Sequence, residues 1–246
     1  MLNNIIKIAK GAGSLIMSSY NDKIKVDIKK DKSPVTKADL AANDYIIRKL
    51  SKYSDLPIVT EETPVPYNIR KEWKLFWIID PLDGTKDFIE HNNEFTVNIA
   101  LIKDSRPILG VIYAPALNHC WWAKKGMGAY KDNKKIFNSS KRKNIISSDS
   151  RFHSTKETLS FLKKNKINKV IKFGSSLKLC KLAEGKIDIY PRLNGTKEWD
   201  TAASDIILHE SGCSMVNYTT KKKLKYNKRI FKNPFFIAYR NGLKWK

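Results

Sequence analysis

The sequence predicts an α/β fold whose first half is of the α+β type. Residues 2–20 and 37–51 carry apolar side chains at helical spacing, and β-prone segments separated by tight turns follow them. In the remainder of the chain, short apolar strands alternate with helical segments, as in an α/β layer. A polar, basic stretch at residues 139–144 separates the two patterns. We therefore predict two domains, residues 1–140 with helices plus an antiparallel sheet and residues 141–246 with an α/β arrangement.

Local patterns place the individual elements. The lysine-rich residues 21–32 indicate a strand or hairpin between the first two helices. Strands in the first half are predicted at residues 56–60, 73–80, 95–102, 106–113, 120–123 and 129–130. The second half has predicted strands at residues 145–147, 169–173, 187–190 and 235–239, and predicted helices at residues 155–164, 176–184 and 200–210. The sequence contains no Gly-x-Gly-x-x-Gly fingerprint and no Walker loop, which argues against a dinucleotide site and a P-loop.

The charge balance favours an anionic partner. The chain of 246 residues carries 47 Lys and Arg against 24 Asp and Glu, a formal net charge of +23. Such a field attracts nucleic acid, anionic membranes or multiply phosphorylated small molecules. The basic runs are scattered along the chain, which favours the alternative interpretation of a solvated lysine-rich surface.

Cysteine usage and hydropathy bear on the compartment. Cys120, Cys180 and Cys213 lie far apart, without metal-site spacing, which is typical of a reducing compartment. No apolar run approaches the roughly 18 residues of a membrane span. We expect a cytoplasmic protein.

The strongest local signal is the turn that follows residues 75–79. This apolar run predicts a buried strand, and we expect the strand to stop at Asp80-Pro81 because proline cannot continue a central strand. Asp80 and Asp83 then lie three residues apart on a turn closed by Gly84. Two ionised carboxylates held this close repel each other unless a cation lies between them.

The ligand types on this turn predict the kind of cation. The Leu82 carbonyl can join the two carboxylates, and hard oxygen ligands favour Mg²⁺ or Mn²⁺ over Zn²⁺. Residues 85–89 can form a helical turn whose free N–H groups suit a phosphate. The turn therefore indicates metal-assisted phosphate chemistry, and the alternative is a strand-to-helix turn with an Asx cap.

Other acidic residues have both functional and structural interpretations. Glu61 and Glu62 end a predicted strand, where adjacent side chains point in opposite directions, so at most one can share a metal with Asp80. The alternative is a solvated loop pair. Asp39 suits a capping box with Thr36.

Candidates in the second half are equally ambiguous when each is taken alone. Asp200 suits the N-cap of the helix it opens. Lys178 and Arg192 are candidate phosphate ligands or ordinary surface charges, and the histidines, His153 among them, show no metal-ligand spacing.

Three separated motifs occur in one order along the chain: Glu61-Glu62, Asp80-Pro81-Leu82-Asp83-Gly84-Thr85 and Trp199-Asp200-Thr201-Ala202-Ala203. This set resembles the inositol-monophosphatase-like superfamily of lithium-sensitive, magnesium-dependent phosphatases, over nearly the whole chain. Within it the chain is most similar to the bacterial CysQ-type 3'(2'),5'-bisphosphate nucleotidases. The segments that carry this similarity cover residues 33–39, 94–102, 107–115, 174–178 and 190–192. The resemblance implies a layered αβαβα sandwich with the site between its two halves.

The resemblance also implies residue roles. It assigns a first metal ion to Glu61, Asp80 and the Leu82 carbonyl, a second to Asp80, Asp83 and Asp200, and a weaker third to Glu61 and water. It assigns the orientation of the attacking water to Asp39 and Thr85, with Glu61 as a further catalytic residue. The N–H groups of Gly84 and Thr85 would bind the scissile phosphate. The other substrate-binding residues would be His153, Ser175, Lys178, Arg192 and Asp200.

The implied activity is hydrolysis of 3'-phosphoadenosine 5'-phosphate to AMP and phosphate, which recycles a by-product of sulfur assimilation. It implies two or three Mg²⁺ ions, with Mn²⁺ as a substitute. An inositol or sugar monophosphatase with the same carboxylates is the alternative, and a basic nucleic-acid-binding protein is a more distant one. We expect a monomer or homodimer with no specific nucleic-acid partner. Its basic face suggests a weak peripheral association with the cytoplasmic face of the inner membrane.

Overall fold

The computed structural model describes residues 1–20, 25–29 and 34–246. Its helices are α1 Leu2–Ser18, α2 Lys37–Leu50, α3 Tyr67–Arg70, α4 Thr85–Ile89, α5 Lys156–Lys164, α6 Leu177–Ala183 and α7 Trp199–Glu210. Its strands are β1 Val26–Ile28, β2 Pro34–Thr36, β3 Ile58–Thr60, β4 Leu75–Asp83, β5 Thr96–Lys103, β6 Arg106–Ala114, β7 His119–Lys124, β8 Ala129–Lys131, β9 Lys134–Ile136, β10 Ile146–Ser150, β11 Lys169–Phe173, β12 Ile189–Arg192, β13 Cys213–Asn217 and β14 Phe236–Arg240.

Most predicted elements are present within a few residues of their predicted limits. The sequence patterns do not predict α3, β2, β9 or β13. The predicted strand or hairpin at residues 21–32 is confirmed at β1, which pairs antiparallel with β2. Residues 21–24 and 30–32 of that prediction lie outside the described residues.

Two large sheets form the framework of the described chain. The first has the order β3-β4-β5-β6-β7-β8-β9, and all its neighbours are antiparallel except β3 and β4. The second has the order β11-β10-β12-β14-β13 and is mixed. The first sheet comes entirely from residues before 140 and the second from residues after it, while the two-domain division itself remains a prediction.

Five layers alternate through the molecule. Helices α1 and α2 pack on one face of the first sheet, in a core that includes Ile8, Ile46 and Trp77. Helices α6 and α7 lie between the two sheets, in a core that joins Ile78 of β4 to Phe236 of β14. Helix α5 covers the outer face of the second sheet. The predicted αβαβα sandwich is therefore confirmed.

The strand that carries the metal motif is longer than predicted. We expected it to stop at Asp80-Pro81, but β4 runs to Asp83. The register with β5 shifts between Asp80 and Asp83, and such an irregularity accommodates proline because the missing N–H is not needed in the ladder. The expectation was wrong because proline excludes a regular ladder but not a bulge.

Helix α7 approaches the first sheet closely. A side chain on Gly110 of β6 would place its Cβ 2.5 Å from the Ala203 carbonyl oxygen of α7. Only glycine permits this approach, which brings the first turn of α7 towards the carboxylates of β4.

Candidate active site

A cavity of about 420 Å³ contains most of the predicted site residues. The first half of the chain contributes Glu61, Asp80, Leu82, Asp83, Gly84 and Thr85, and the second contributes His153, Ser175, Lys178, Arg192 and Asp200. Asp39 does not line the cavity, but it accepts a hydrogen bond from Thr85, which does. Sequence positions about 140 residues apart therefore meet in one place, between the two halves.

Three carboxylates converge at the centre of the cavity. Glu61, Asp80 and Asp200 each offer an oxygen, and these oxygens lie within 4.8 Å of one another. Glu61 is held beside β4 because its N–H donates to the Ile79 carbonyl (3.1 Å). Burial, and then repulsion by Glu61, Asp83 and Asp200, raises the pKa of Asp80 well above its ordinary value. Burial, followed by the charges of Asp83 and Glu61, does the same to the pKa of Asp200.

This cluster fits a divalent cation. The donors are carboxylate oxygens, and Leu82 lines the same cavity. Hard oxygen donors suit Mg²⁺, Mn²⁺ or Ca²⁺. Holding three carboxylates this close together is costly without a positive charge between them, so the geometry favours a bound cation.

Lys29 supplies one positive charge at the edge of this cluster. Its Nζ lies 2.7 Å from Glu61 Oε1 and 2.6 Å from Glu62 Oε1. Burial lowers the pKa of Lys29, but the two carboxylates outweigh burial and raise it above its ordinary value. The expectation that the two glutamates point apart was wrong, because β3 ends at Thr60 and both carboxylates reach the same ammonium. Only Glu61 of the two belongs to the three-carboxylate cluster.

Asp83 lies beside this cluster rather than in it. Its Oδ2 accepts hydrogen bonds from Ser175 Oγ (2.8 Å) and Ser176 Oγ (2.6 Å), both from the second half of the chain. Its charge still contributes to the raised pKa values of Asp80 and Asp200. Asp83 therefore forms part of the same acidic centre, with one oxygen already engaged.

Asp39 forms the predicted capping box and also contacts Thr85. The capping box with Thr36 is present: Asp39 Oδ2 accepts from the Thr36 N–H (2.8 Å) and Oγ1 (2.6 Å). Its other oxygen, Oδ1, accepts from Thr85 Oγ1 (3.1 Å). Burial raises the pKa of Asp39 and the hydrogen bonds from Thr36 and Thr85 oppose that shift. The same carboxylate therefore caps helix α2 through Thr36 and contacts Thr85, its partner in the candidate catalytic pair.

Gly84 makes the turn between β4 and α4. Its φ of 91° lies in the left-handed region, where glycine is favoured. Helix α4 begins at Thr85, as the sequence predicts, and the Thr85 hydroxyl lies 3.4 Å from the Leu82 carbonyl.

Asp200 is not the N-cap of its helix. Helix α7 begins at Trp199, so Glu198 is the N-cap residue and Asp200 lies in the first turn. Asp200 Oδ2 accepts from the Lys197 N–H (2.8 Å). The capping interpretation was wrong because the helix begins one residue earlier than predicted.

A basic wall faces the acidic centre. Lys178 is only 5% exposed, which excludes the surface-charge interpretation, and its Nζ donates to the Phe173 carbonyl (3.1 Å). Burial, and then repulsion by Arg192, lowers the pKa of Lys178 to about 8. Arg192 donates through Nη2 to the Gly195 carbonyl (3.3 Å), while its buried Nε has no partner among the described residues. Lys178 and Arg192 therefore retain donor capacity towards an anion in the cavity.

His153 lies at the rim of the cavity and is exposed. Desolvation, followed by repulsion from Arg192, Lys86 and Lys178, lowers the pKa of His153 to about 4. It is therefore neutral near pH 7.

Several residues at the site have no sequence signal of their own. Lys86 and Lys197 also line the cavity. Asp87 is buried at its base and accepts from Asn92 Nδ2 (2.7 Å), and burial raises its pKa to about 6 despite that hydrogen bond. Lys86 and Asp87 directly follow the motif, which is the one feature of the sequence that points to them.

The comparison with protein families decides the classification. A model of the inositol monophosphatase family matches residues 1–241. The chain belongs to the inositol monophosphatase family.

Relatives within this family share most of their length with the chain. A protein named 3'(2'),5'-bisphosphate nucleotidase CysQ from Shigella flexneri is 39% identical over 243 residues, which cover 96% of this chain and 98% of that protein. A protein of the same name from Buchnera aphidicola is 42% identical over 228 residues, 89% and 85% of the two chains. The crystal structure of CysQ from Bacteroides thetaiotaomicron, described as a bacterial member of the family, superposes with a TM-score of 0.87 at 37% identity and covers 98% of each chain. The resemblance inferred from the three motifs is confirmed.

Proposed function

We propose that this chain hydrolyses 3'(2'),5'-bisphosphate nucleotides, with 3'-phosphoadenosine 5'-phosphate as substrate and AMP and phosphate as products. The observation that carries the proposal is one cavity that joins the Glu61, Asp80 and Asp200 cluster to the buried Lys178 and the partly buried Arg192. The names of the relatives support the same substrate. A substrate with two phosphates needs both regions, one for the scissile group and one for the other phosphate.

Metal dependence follows from the acidic centre. We propose two or three Mg²⁺ ions, held by Glu61, Asp80, Asp83, Asp200 and the Leu82 carbonyl, with Mn²⁺ as a substitute. When bound, such ions stabilise the charge that develops on the phosphoryl oxygens and make a water molecule more acidic.

The chain's own groups aim the water and take its proton. Thr85 Oγ1 donates to Asp39 Oδ1, so the lone pairs of Thr85 Oγ1 are available to accept from a water molecule. As this water attacks phosphorus, its proton passes to Thr85 Oγ1 and the Thr85 proton passes to Asp39 Oδ1. Thr36 fixes the other oxygen of Asp39, so the pair is already aligned before substrate binds. The P–O3' bond breaks as the new P–O bond forms, and the released O3' takes up a proton from solvent water to give the 3'-hydroxyl of AMP.

Phosphate recognition uses both ends of the cavity. We propose that the N–H groups of Gly84 and Thr85 bind the scissile phosphate. Lys178 and Arg192 bind the second phosphate, and Ser175 and His153 line the same cavity. An inositol or sugar monophosphate has no second phosphate to use this wall, and on that ground we favour the nucleotide.

Some finer assignments also remain proposals. We propose a cytoplasmic protein, a monomer or homodimer, organised in two domains at residues 1–140 and 141–246. Cys120, Cys180 and Cys213 are all free thiols, which suits a reducing compartment. No helix in the described ranges 1–20, 25–29 and 34–246 is long and apolar enough to cross a membrane.

A phosphate-release panel with Mg²⁺, with and without Li⁺, tests the proposal. The substrates are 3'-phosphoadenosine 5'-phosphate, inositol 1-phosphate and fructose 1,6-bisphosphate. We expect the nucleotide to have the highest kcat/KM and Li⁺ to inhibit. Lys178→Ala should raise KM for the nucleotide more than for inositol 1-phosphate. Higher kcat/KM for inositol phosphate would replace the nucleotide with the alternative substrate, and full activity in chelator would remove the metal from the mechanism.

A further inference from the structure

Behind Asp83 lies a buried polar chain that the proposed mechanism does not use. Thr96, Asn98 and Ser176 are each no more than 3% exposed. Asn98 Nδ2 donates to Ser176 Oγ (2.9 Å), and Thr96 Oγ1 donates to Asn98 Oδ1 (2.9 Å). Buried polar networks of this kind are costly unless every member is hydrogen-bonded, so their arrangement is specific.

Three donors converge on one carboxylate oxygen at the end of this chain. Asp83 Oδ2 accepts from Ser176 Oγ (2.6 Å) and from Ser175 Oγ (2.8 Å), and Asn98 Nδ2 makes a longer contact of 3.4 Å with it. Among the described residues, none donates to Asp83 Oδ1. The carboxylate is thus fixed through one oxygen and available through the other.

The amide of Asn98 sets the direction of the Ser176 hydroxyl. Its nitrogen faces the Asp83 carboxylate, as expected, since the amide oxygen would be repelled there. Because Ser176 Oγ accepts from that amide, its own proton must point elsewhere. The Asp83 oxygen at 2.6 Å is charged and closer than the Asp200 carbonyl at 3.2 Å, so the proton points to Asp83.

The backbone places these groups opposite the metal motif. In the β4–β5 register, Asn98 is the partner of Asp80 and Thr96 is the partner of Asp83. Ser175 has a φ of 47°, an uncommon conformation for a residue other than glycine, directly before Ser176 at the N-cap of α6. This turn lets both serine hydroxyls reach one carboxylate.

We propose that Asn98 and Ser176 are positioning residues for Asp83: they hold its Oδ2 and thereby keep Oδ1 directed at a divalent cation. The inference rests on the proposed function, in which Asp83 binds a metal ion. Hydrogen-bonding partners of a ligand carboxylate typically change metal affinity by about 10- to 100-fold when they are removed. Because Asn98 and Ser176 come from different halves of the chain, the cation site is complete only when the halves are docked.

Calorimetric titration with Mn²⁺ tests this directly and needs no substrate. We expect Ser176→Ala to weaken one Mn²⁺ site by about 10-fold and Ser176→Thr, which keeps the hydroxyl, to restore most of the affinity. The matched control is Ser211→Ala, which removes a buried hydroxyl that donates to the Leu208 carbonyl at the far end of α7. The control should bind Mn²⁺ as the wild type does. Asn98→Ala is the second variant and should weaken the same site.

A double-mutant cycle separates positioning from a general structural effect. In an Asp83→Asn background, adding Ser176→Ala should cause no further loss of Mn²⁺ affinity. Wild-type affinity in both Ser176→Ala and Asn98→Ala, or an equal loss with and without the Asp83 carboxylate, would overturn the inference. A wild type that binds no Mn²⁺ overturns it together with the proposed metal site. A wild type that binds Mn²⁺ but releases no phosphate from the nucleotide contradicts the proposed function alone.

Discussion

Replacing Asp80 by asparagine should stabilise the metal-free protein while removing its response to Mg²⁺. Asp80 is 1% exposed, and its nearest oxygen lies within 4.8 Å of carboxylate oxygens of Glu61 and Asp200. Two unit charges at that separation repel by about 3 kcal/mol at an effective dielectric constant of about 20. Asparagine keeps the Oδ1 acceptor for the Leu82 N–H (3.1 Å) and carries no charge.

The net gain is smaller than the two repulsions together. Burial and neighbouring carboxylates raise the pKa of Asp80, so proton uptake relieves part of the repulsion in the wild type. Lys29 offsets part of the charge of Glu61. We therefore expect Asp80→Asn to raise the free energy of unfolding in EDTA by about 2 kcal/mol, or the melting temperature by roughly 4–8 °C for a chain of this size.

Mg²⁺ should reverse the order of stability. A ligand at 100 times its Kd stabilises the folded state by about 2.7 kcal/mol, and the variant lacks a central donor for that ligand. Thermal unfolding is measured in EDTA and in Mg²⁺ for the wild type and the variant. A lower melting temperature of the variant in EDTA, or an Mg²⁺ response equal to that of the wild type, would refute the electrostatic reasoning.

The same substitution at Asp188 is the matched control. Asp188 is fully buried but paired, with Arg240 Nε at 3.0 Å and Arg142 Nη1 at 3.5 Å. Breaking a buried ion pair typically costs about 3–5 kcal/mol, so Asp188→Asn should destabilise the protein with or without Mg²⁺. If the change in the free energy of unfolding has opposite signs at Asp80 and Asp188, then Asp80 lacks the compensating charge that Asp188 has.

Three further predictions concern the surrounding groups. Because the pKa of Lys178 is lowered to about 8, its positive charge is lost as the pH rises above that value. KM for the bisphosphate should therefore rise above about pH 8 in the wild type but not in Lys178→Met. A wild-type KM that does not change with pH would contradict this. Thr85→Val keeps the shape of the side chain but removes the relay to Asp39, so kcat should fall about 100-fold. A rise in KM with unchanged kcat would argue against proton transfer. Glu198→Gln leaves the Lys228 ammonium without its charged partner at 2.5 Å. The free energy of unfolding, measured by urea denaturation, should fall by about 2 kcal/mol. No change would mean that water solvates the Lys228 ammonium as well as Glu198 does.

The sequence predicts the local parts of the site well. Asp80, Leu82, Asp83 and Gly84 are consecutive or nearly so, and their turn geometry depends on proline and glycine, whose backbone preferences are strong. The capping box of Asp39 is likewise a local pattern, although its contact with Thr85 spans 46 positions and followed only from the family resemblance.

Contacts set by sheet register and layer packing could not be predicted in the same way. Asn98 reaches Asp83 and Ser176 because β5 pairs with β4 in one particular register, which no local pattern specifies. Lys178 is buried because α6 lies between two sheets, and the sequence alone does not distinguish a lysine in that layer from one on the surface. Lys29 contacts Glu61 and Glu62 across spans of 32 and 33 positions, again without a local signal.

The acidic centre and the basic wall depend on each other. The charges of Asp83, Asp87 and Glu94 favour the ammonium form of Lys178, while burial and Arg192 disfavour it. A cation bound to the carboxylates weakens their stabilisation of the Lys178 ammonium. An anionic phosphate beside Lys178 stabilises the ammonium in their place. Divalent metal and bisphosphate should therefore bind cooperatively, each increasing the affinity for the other by the same factor, as linkage requires. The large positive charge of the chain then assists phosphate binding only after metal has bound. Without metal, the carboxylates repel the phosphate from the centre that must cleave it.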